Sequence, residues 1–247
     1  MNGFRIGEIA GIPIRLHWTL LLFVAFVALT SGGGALGALL GGVLLFASIV
    51  LHELGHALTA RGYGIETRDI VLTPIGGVAR IEGMPKNGRA EMVIALAGPI
   101  VSLALAGVAT AALWFLPVKG VIAGALGTLA WSNAMLGLFN LIPAFPMDGG
   151  RILRGALAQR LGLSRATDIA AGIGRVAAVA MGIAGLATGS WSLALIAVYV
   201  WMAGSRERAM VEAERQPRAW DAFGRPIEVE MVAPMRPMRR PTVVYRY

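Results

Sequence analysis

The chain is built around apolar stretches long enough to cross a lipid bilayer. A spanning helix needs about 20 mostly apolar residues. Six such stretches can be drawn, at about 13–31, 36–60, 91–116, 121–143, 169–188 and 190–204. Within hydrocarbon every backbone N–H and C=O must find its partner inside the protein, so isolated apolar stretches of this length fold as helices. The expectation is an all-α polytopic membrane protein of about six transmembrane helices. Composition agrees: 56% of residues are hydrophobic, only 15% are charged, and the 33 glycines suit close helix packing in lipid. The first apolar stretch has no small-residue cleavage site before a polar domain, so it reads as a retained helix and not a cleaved signal.

The loops orient these spans. With the N-terminus in the cytoplasm, one side collects Arg5, Arg15, Arg61, Arg68, Arg80, Lys86, Arg89, Arg151, Arg154, Arg160, Arg165 and the tail arginines. The other side holds Lys119 alone. Basic residues favour the cytoplasmic face, so both termini are expected inside. The net charge of +8 is explained by these loops, and no basic, aromatic-laced soluble domain suggests nucleic-acid binding. Arg175 falls within the fifth stretch and is expected to snorkel from near a helix end. Residues 65–83, "IETRDIVLTPIGGVARIEG", carry two short β-rich runs around Pro74–Gly77 and read as a β-hairpin or re-entrant element between helices 2 and 3. The membrane domain is set at 1–204. The tail, 205–247, opens as a polar helical stretch and becomes rich in Pro and Arg, as a solvated or headgroup-facing end would; a docking arm is the alternative.

The second stretch contains "VLHELGHALTA", with His52, Glu53 and His56 inside an otherwise apolar helix. Ionisable groups at bilayer depth cost about 2.5–3.5 kcal/mol each on insertion scales. Hydrogen bonds between membrane helices return only about 0.6 kcal/mol on average, so helix-to-helix bonding alone explains three such groups poorly. Spaced four apart, the two histidines share one helix face and can both reach a single zinc ion. Glu53 can act on water at that ion without ligating it, as in the H-E-x-x-H pattern of metalloproteases. Zinc lowers the pKa of water from 15.7 toward about 7, and a carboxylate then takes the proton and passes it to the leaving amine.

Two histidines leave the metal short of a third protein ligand. There is no cysteine, and His17, the remaining histidine, borders the first helix beside Trp18, where an interfacial pair is the plainer reading. Glu91 opens the third helix and is read as interfacial. Asp148 lies in "NLIPAFPMDGGR", where Pro143 and Pro146 interrupt the helix and Gly149 and Gly150 permit a sharp turn. Asp148 either bends into the bundle as a ligand or caps the next helix. Asn140, about two turns earlier, either donates to a tetrahedral oxyanion or ties helices together. Asn133 reads as packing glue within the fourth helix.

Together, His52-Glu53-Leu54-Gly55-His56 and Asn140-Leu141-Ile142-Pro143-Ala144-Phe145-Pro146-Met147-Asp148-Gly149 resemble the two motifs of the site-2 protease family of intramembrane zinc metalloproteases. Met147 stands where that family often has Leu. Gly98-Pro99, Gly76-Gly77 in "LTPIGGVA" and "GIPIRLHWT" at 11–19 are also similar to family features. The likeness covers most of 10–165 and leaves out the tail; neither a PDZ nor a CBS segment is evident in the sequence. The resemblance implies zinc held by His52, His56 and Asp148, Glu53 as catalytic base, and a substrate-binding hairpin at Gly76 and Gly77.

The expected function is therefore zinc-dependent endopeptidase action on transmembrane segments of membrane-anchored proteins, in a prokaryotic plasma membrane. The rival is a non-catalytic metal-binding membrane protein, a transporter or scaffold. Glu53 argues against it, because a transport site has no need of a carboxylate beside the metal that does not ligate it. An extended substrate added as a strand to the 65–83 hairpin would satisfy backbone groups freed by unwinding.

Overall fold

The computed structural model describes residues 3–30, 35–74, 76–82, 85 and 87–215. The tail from 216 onward and residues 75 and 83 of the expected hairpin lie outside the described residues. Strands β1 (Gly3–Ile9) and β2 (Ile12–His17) come first, then helices α1 (Trp18–Thr30) and α2 (Ala35–Gly62). Strands β3 (Glu66–Thr73) and β4 (Gly76–Glu82) follow, then α3 (Gly88–Phe115), α4 (Gly120–Asn140), α5 (Asp148–Leu161), α6 (Leu163–Thr188) and α7 (Trp191–Arg215). The chain divides after Val211, and of the second unit, Glu212–Tyr247, the described part is the last turn of α7.

Among the described residues four helices are long and apolar enough to cross a membrane: α2 from Leu40, α3, α4 and α6. The chain is thus a membrane protein, mostly helical, with a small sheet. Two of the six expected stretches differ. Residues 12–17 are strand, so the described helix within the first stretch begins only at Trp18. The sixth continues past Gly204 into the charged "SRERAMVEAER", so α7 is apolar in its first half only. The charged run after Gly204 marks the second change; at the first, "IPIRLH" passes into α1 with only Arg15 and His17 as polar residues and no Gly or Pro at the junction.

The expected hairpin is half of a four-stranded sheet in the order β1-β2-β3-β4. The pairs β1/β2 and β3/β4 are antiparallel, while β2 and β3 are parallel, with Ile14 beside Ile70. A parallel pair needs a crossover, and α1 and α2 supply it. Alternate residues Ile12, Ile14, Ile70 and Leu72 point to one face and pack on Leu20 of α1 and Ile49, Val50, Leu54 and Ala57 of α2. The sheet therefore lies along the helix that carries His52, Glu53 and His56.

On the other face Asp69 is buried. It accepts hydrogen bonds from Arg80, its cross-strand partner, and forms an ion pair with Arg15 of β2 at 2.9 Å. The Arg80 hydrogen bond outweighs burial and holds the Asp69 carboxyl below its ordinary value of 3.8. A second ionic cluster ties the helices. Arg154 of α5, 4% exposed, donates to Glu91 of α3 at 2.7 Å and to Glu207 of α7 at 2.8 Å. Its guanidinium lies 5.0 Å from the Phe145 ring. Glu91, expected at the interface, is buried as the partner of Arg154.

A depressed carboxyl pKa stabilises the fold fully above its unfolded value, near 3.8, and ceases to do so as pH falls through the folded value. Asp69→Asn is expected to lower Tm in detergent by about 2–4 °C at pH 7. That deficit should shrink between about pH 4 and pH 3. An equal deficit at both ends of the range would assign the loss to packing.

Candidate metal centre

His52 and His56 point from one face of α2 toward α3 and the start of α5. The Nε2 atoms of the two rings are 3.2 Å apart, and Oδ2 of Asp148 lies 3.1 Å from that of His52 and 3.2 Å from that of His56. All three residues are buried or nearly so. Bonds of about 2.0–2.1 Å to a tetrahedral zinc place ligand atoms about 3.3 Å apart. The triangle of two nitrogens and one oxygen matches that spacing, so the residues fit a metal ion with a fourth direction left open. Among the described residues this is the one group of its kind.

Each imidazole is held by its other nitrogen. Nδ1 of His52 lies 2.9 Å from Oγ of Ser102, and Nδ1 of His56 lies 2.8 Å from the carbonyl oxygen of Ile94, both on α3. Such contacts fix the ring and leave Nε2 to face a metal. Pro99 lies inside α3 and has no N–H for the carbonyl of Ala95, which loosens the turn that includes Ile94. Between these contacts α3 passes very close to the rings. A Cβ on Gly98 would sit 2.6 Å from Nε2 of His52, so only glycine fits there.

Asp148 opens α5, yet it does not cap it. Met147 holds the N-cap position, and no side chain closes the helix start. The prolines end α4 at Asn140 and start a new helix at Asp148, which turns the carboxylate back toward α2. Gly149 and Gly150 are not the turn itself. They are the first helical residues after Asp148, and a Cβ on Gly150 would lie 2.7 Å from the backbone nitrogen of Phe145 in the returning loop.

Glu53 stands outside the triangle. Its Oε2 accepts a hydrogen bond at 3.1 Å from the backbone N–H of Ala79, on β4. β4 is an edge of the sheet, and Ala79 turns this N–H away from β3 toward α2. The strand comes this close because Gly77 has no side chain: a Cβ there would lie 2.7 Å from Cγ of Glu53 and 2.8 Å from Ile49. Gly76 has open space around it and makes no contact with the cluster. The Asn140 amide donates to the carbonyl of Leu136 in its own helix at 3.0 Å and is not brought to the triangle by any bond. His17 lies beside Thr19 and Trp18, apart from the cluster. Asn133, fully buried, donates to Ser48 at 2.8 Å and ties α4 to α2 one turn before His52. Sequence reasoning missed Ser102 and the Ile94 carbonyl. Lying 50 and 38 residues from the histidines they hold, they carry no signal in the sequence, although Gly98-Pro99 marked the helix.

Comparison with known proteins agrees with this geometry. The profile of peptidase family M50 matches residues 41–126 and 116–182, which include both histidines and Asp148. A zinc metalloprotease of Methanocaldococcus jannaschii is 42% identical over 211 residues, covering 85% of this chain and 62% of that protein. Rip3 of Mycobacterium tuberculosis is 37% identical over 190 residues, covering 70% of this chain and 47% of that protein. The chain thus spans about half to three-fifths of the length of these curated relatives. The solved structure of a site-2 protease from Methanocaldococcus jannaschii superposes with a TM-score of 0.64 at 38% identity, over 94% of this chain and 100% of that one. With its two histidines and aspartate inside the matched segment, the chain belongs to peptidase family M50.

Proposed function

We propose that this protein is a zinc-dependent intramembrane endopeptidase that cleaves in or near the transmembrane segments of membrane-anchored proteins. The observation that carries this reading is Glu53: a carboxylate next to the ligand triangle, outside it, and held ready by a single backbone N–H. A site for metal storage or transport has no use for it. Bound by His52, His56 and Asp148, zinc would supply Lewis acidity, lowering the pKa of water and polarising a carbonyl.

The chain's own residues do the rest. Glu53 accepts the proton of the attacking water and returns it to the departing amine, so the peptide bond is replaced by a carboxylate and an amine. Ser102 and the Ile94 carbonyl keep the imidazoles aimed. A substrate helix must unwind before its bonds can be cut, and its freed backbone needs partners. The free edge of β4 lies beside Glu53 and offers them by strand addition, with Gly76 and Gly77 leaving room. Asn140 ends α4 near the loop to Asp148 and is proposed to swing from the Leu136 carbonyl to an oxyanion when substrate is bound. The asymmetry of arginines against Lys119 supports six spans in the plasma membrane, both termini in the cytoplasm, with α1 and the apolar half of α7 as the short outer spans. On this reading residues 1–204 form the protease domain and 205–247 a basic tail.

Three measurements test the site. Purified without chelators, the chain is expected to carry about one zinc, and Asp148→Ala to lose it, because only two ligands then remain. Ser102→Ala should keep the fold and weaken zinc by about 10–100-fold in chelator competition. Unchanged affinity would remove Ser102 from the site. In proteoliposomes holding a transmembrane substrate, Glu53→Gln should retain zinc and lose at least ~100-fold in cleavage rate. Full turnover with Gln at 53 would overturn the protease reading.

A further inference from the structure

Among the described residues Arg175 is a charge without a counterpart. It lies at the middle of α6, about 18 Å along the axis from Leu163, in a helix apolar enough to span the membrane. The buried charged groups of the helix bundle have partners: the histidines pair with Asp148 and Arg154 with Glu91 and Glu207, while farther out Asp168 pairs with Arg208. Arg175 makes no hydrogen bond and no ion pair with any described residue, and its Nε is buried without a partner. An arginine at such depth is costly and marks a site by default.

The surroundings indicate what approaches it. α6 and α7 run antiparallel, with Ala171 against Gly204, Ala178 grouped with Val200, and Gly182 against Ala197. Arg175 follows Ala171 by one turn and precedes Ala178 by three residues, so its stem roots in this seam. The neighbouring Val176, Val179 and Trp201 are 72%, 50% and 46% exposed, an apolar surface that faces acyl chains. Side chains on a helix tilt toward its N-terminus. The guanidinium is therefore directed along the seam toward Asp168 and Arg208, about 10 Å away, where the charged end of the helix pair begins. Asp168 is already engaged by Arg208 at 2.7 Å and supplies no free counter-charge.

We propose that Arg175 anchors a site for the phosphate of an anionic phospholipid, seated on the outer side of the α6–α7 seam. The planar fork of an arginine takes a phosphate by two parallel hydrogen bonds. Snorkelling extends the fork toward headgroup level while its stem stays in the apolar seam, and local thinning of the bilayer brings a phosphate down to meet it. A membrane leaflet rich in anionic lipid supplies that phosphate, and the exposed apolar residues around Arg175 accept the acyl chains. The seam also packs against Ala144 and Met147 in the loop before Asp148, but the site uses none of the metal ligands and does not depend on the protease reading.

The test is native mass spectrometry of the full chain in detergent, titrated with phosphatidylglycerol or with phosphatidylcholine. The wild type should hold one phosphatidylglycerol about 10-fold or more tighter than phosphatidylcholine, and Arg175→Gln should abolish the preference. Arg175→Lys, which keeps the charge but loses the fork, should weaken it about 3–10-fold, and Arg165→Gln should leave it unchanged. Melting curves establish that each variant is folded; if Arg175→Gln is not, the Lys variant and the headgroup comparison in the wild type decide. Equal retention by the Arg175 variants overturns the proposal. So does equal loss in Arg165→Gln, which would mean a diffuse basic surface. Displacement of the lipid by millimolar inorganic phosphate would overturn it too, as a site for soluble anions.

Discussion

Three polar side chains on one turn of an apolar helix must be met on every side by groups that can bond them, and the molecule is arranged to meet that demand. α3 supplies a hydroxyl and a carbonyl to the outer nitrogens of the histidines, and can do so only because Gly98 lets its backbone approach the rings. The break between α4 and α5 supplies the Asp148 carboxylate. β4 supplies one N–H to Glu53, through the space left by Gly77. Two missing side chains, on opposite sides of α2, thus set how near the neighbouring elements come. An unpaired polar group in this environment costs several kcal/mol, so each of these contacts is under strong constraint.

The same logic extends to the charges farther out. Arg154 and Glu91 are buried together, and Glu207 joins them from α7. A buried pair gains little over an apolar one, but losing one partner leaves the other stranded at a cost of about 3–5 kcal/mol. Such a cluster selects one arrangement of α3, α5 and α7 over its neighbours. Because α5 begins with Asp148, that arrangement also decides where the third ligand points. The Asp69 cluster does comparable work for the sheet, fixing β2, β3 and β4 to one another by a single carboxylate.

Much of this was legible in the residues alone, and the reasons are local. The four-residue spacing of His52 and His56 needs only helix geometry, and the run of apolar residues around them guarantees the helix. Pro143 and Pro146 announce the break that turns Asp148 inward. The β-rich runs at 65–83 gave the hairpin but not the sheet. β2 joins α1 with no Gly or Pro at the junction, and the exposed strand β1 has no alternating pattern to mark it. Long-range pairs left no trace. Glu91 and Arg154 each look like a loop or interface charge until the fold puts them 2.7 Å apart. Ser102 is one small polar residue among several, distinguished only by the ring it meets.

The Ala79 N–H links substrate and chemistry under the proposed function. At the free edge of β4 it is a donor that an added strand would claim, and in the absence of one it holds Glu53. A substrate strand that takes the N–H for its own carbonyl therefore frees Glu53 at the moment when a peptide bond lies alongside. Binding at the edge and release of the Glu53 carboxylate then share one N–H, so the two events are coupled. An idle protease in a membrane has reason to keep its base engaged, and the glycine at 77 makes this contact possible by leaving the strand no side chain to hold α2 away.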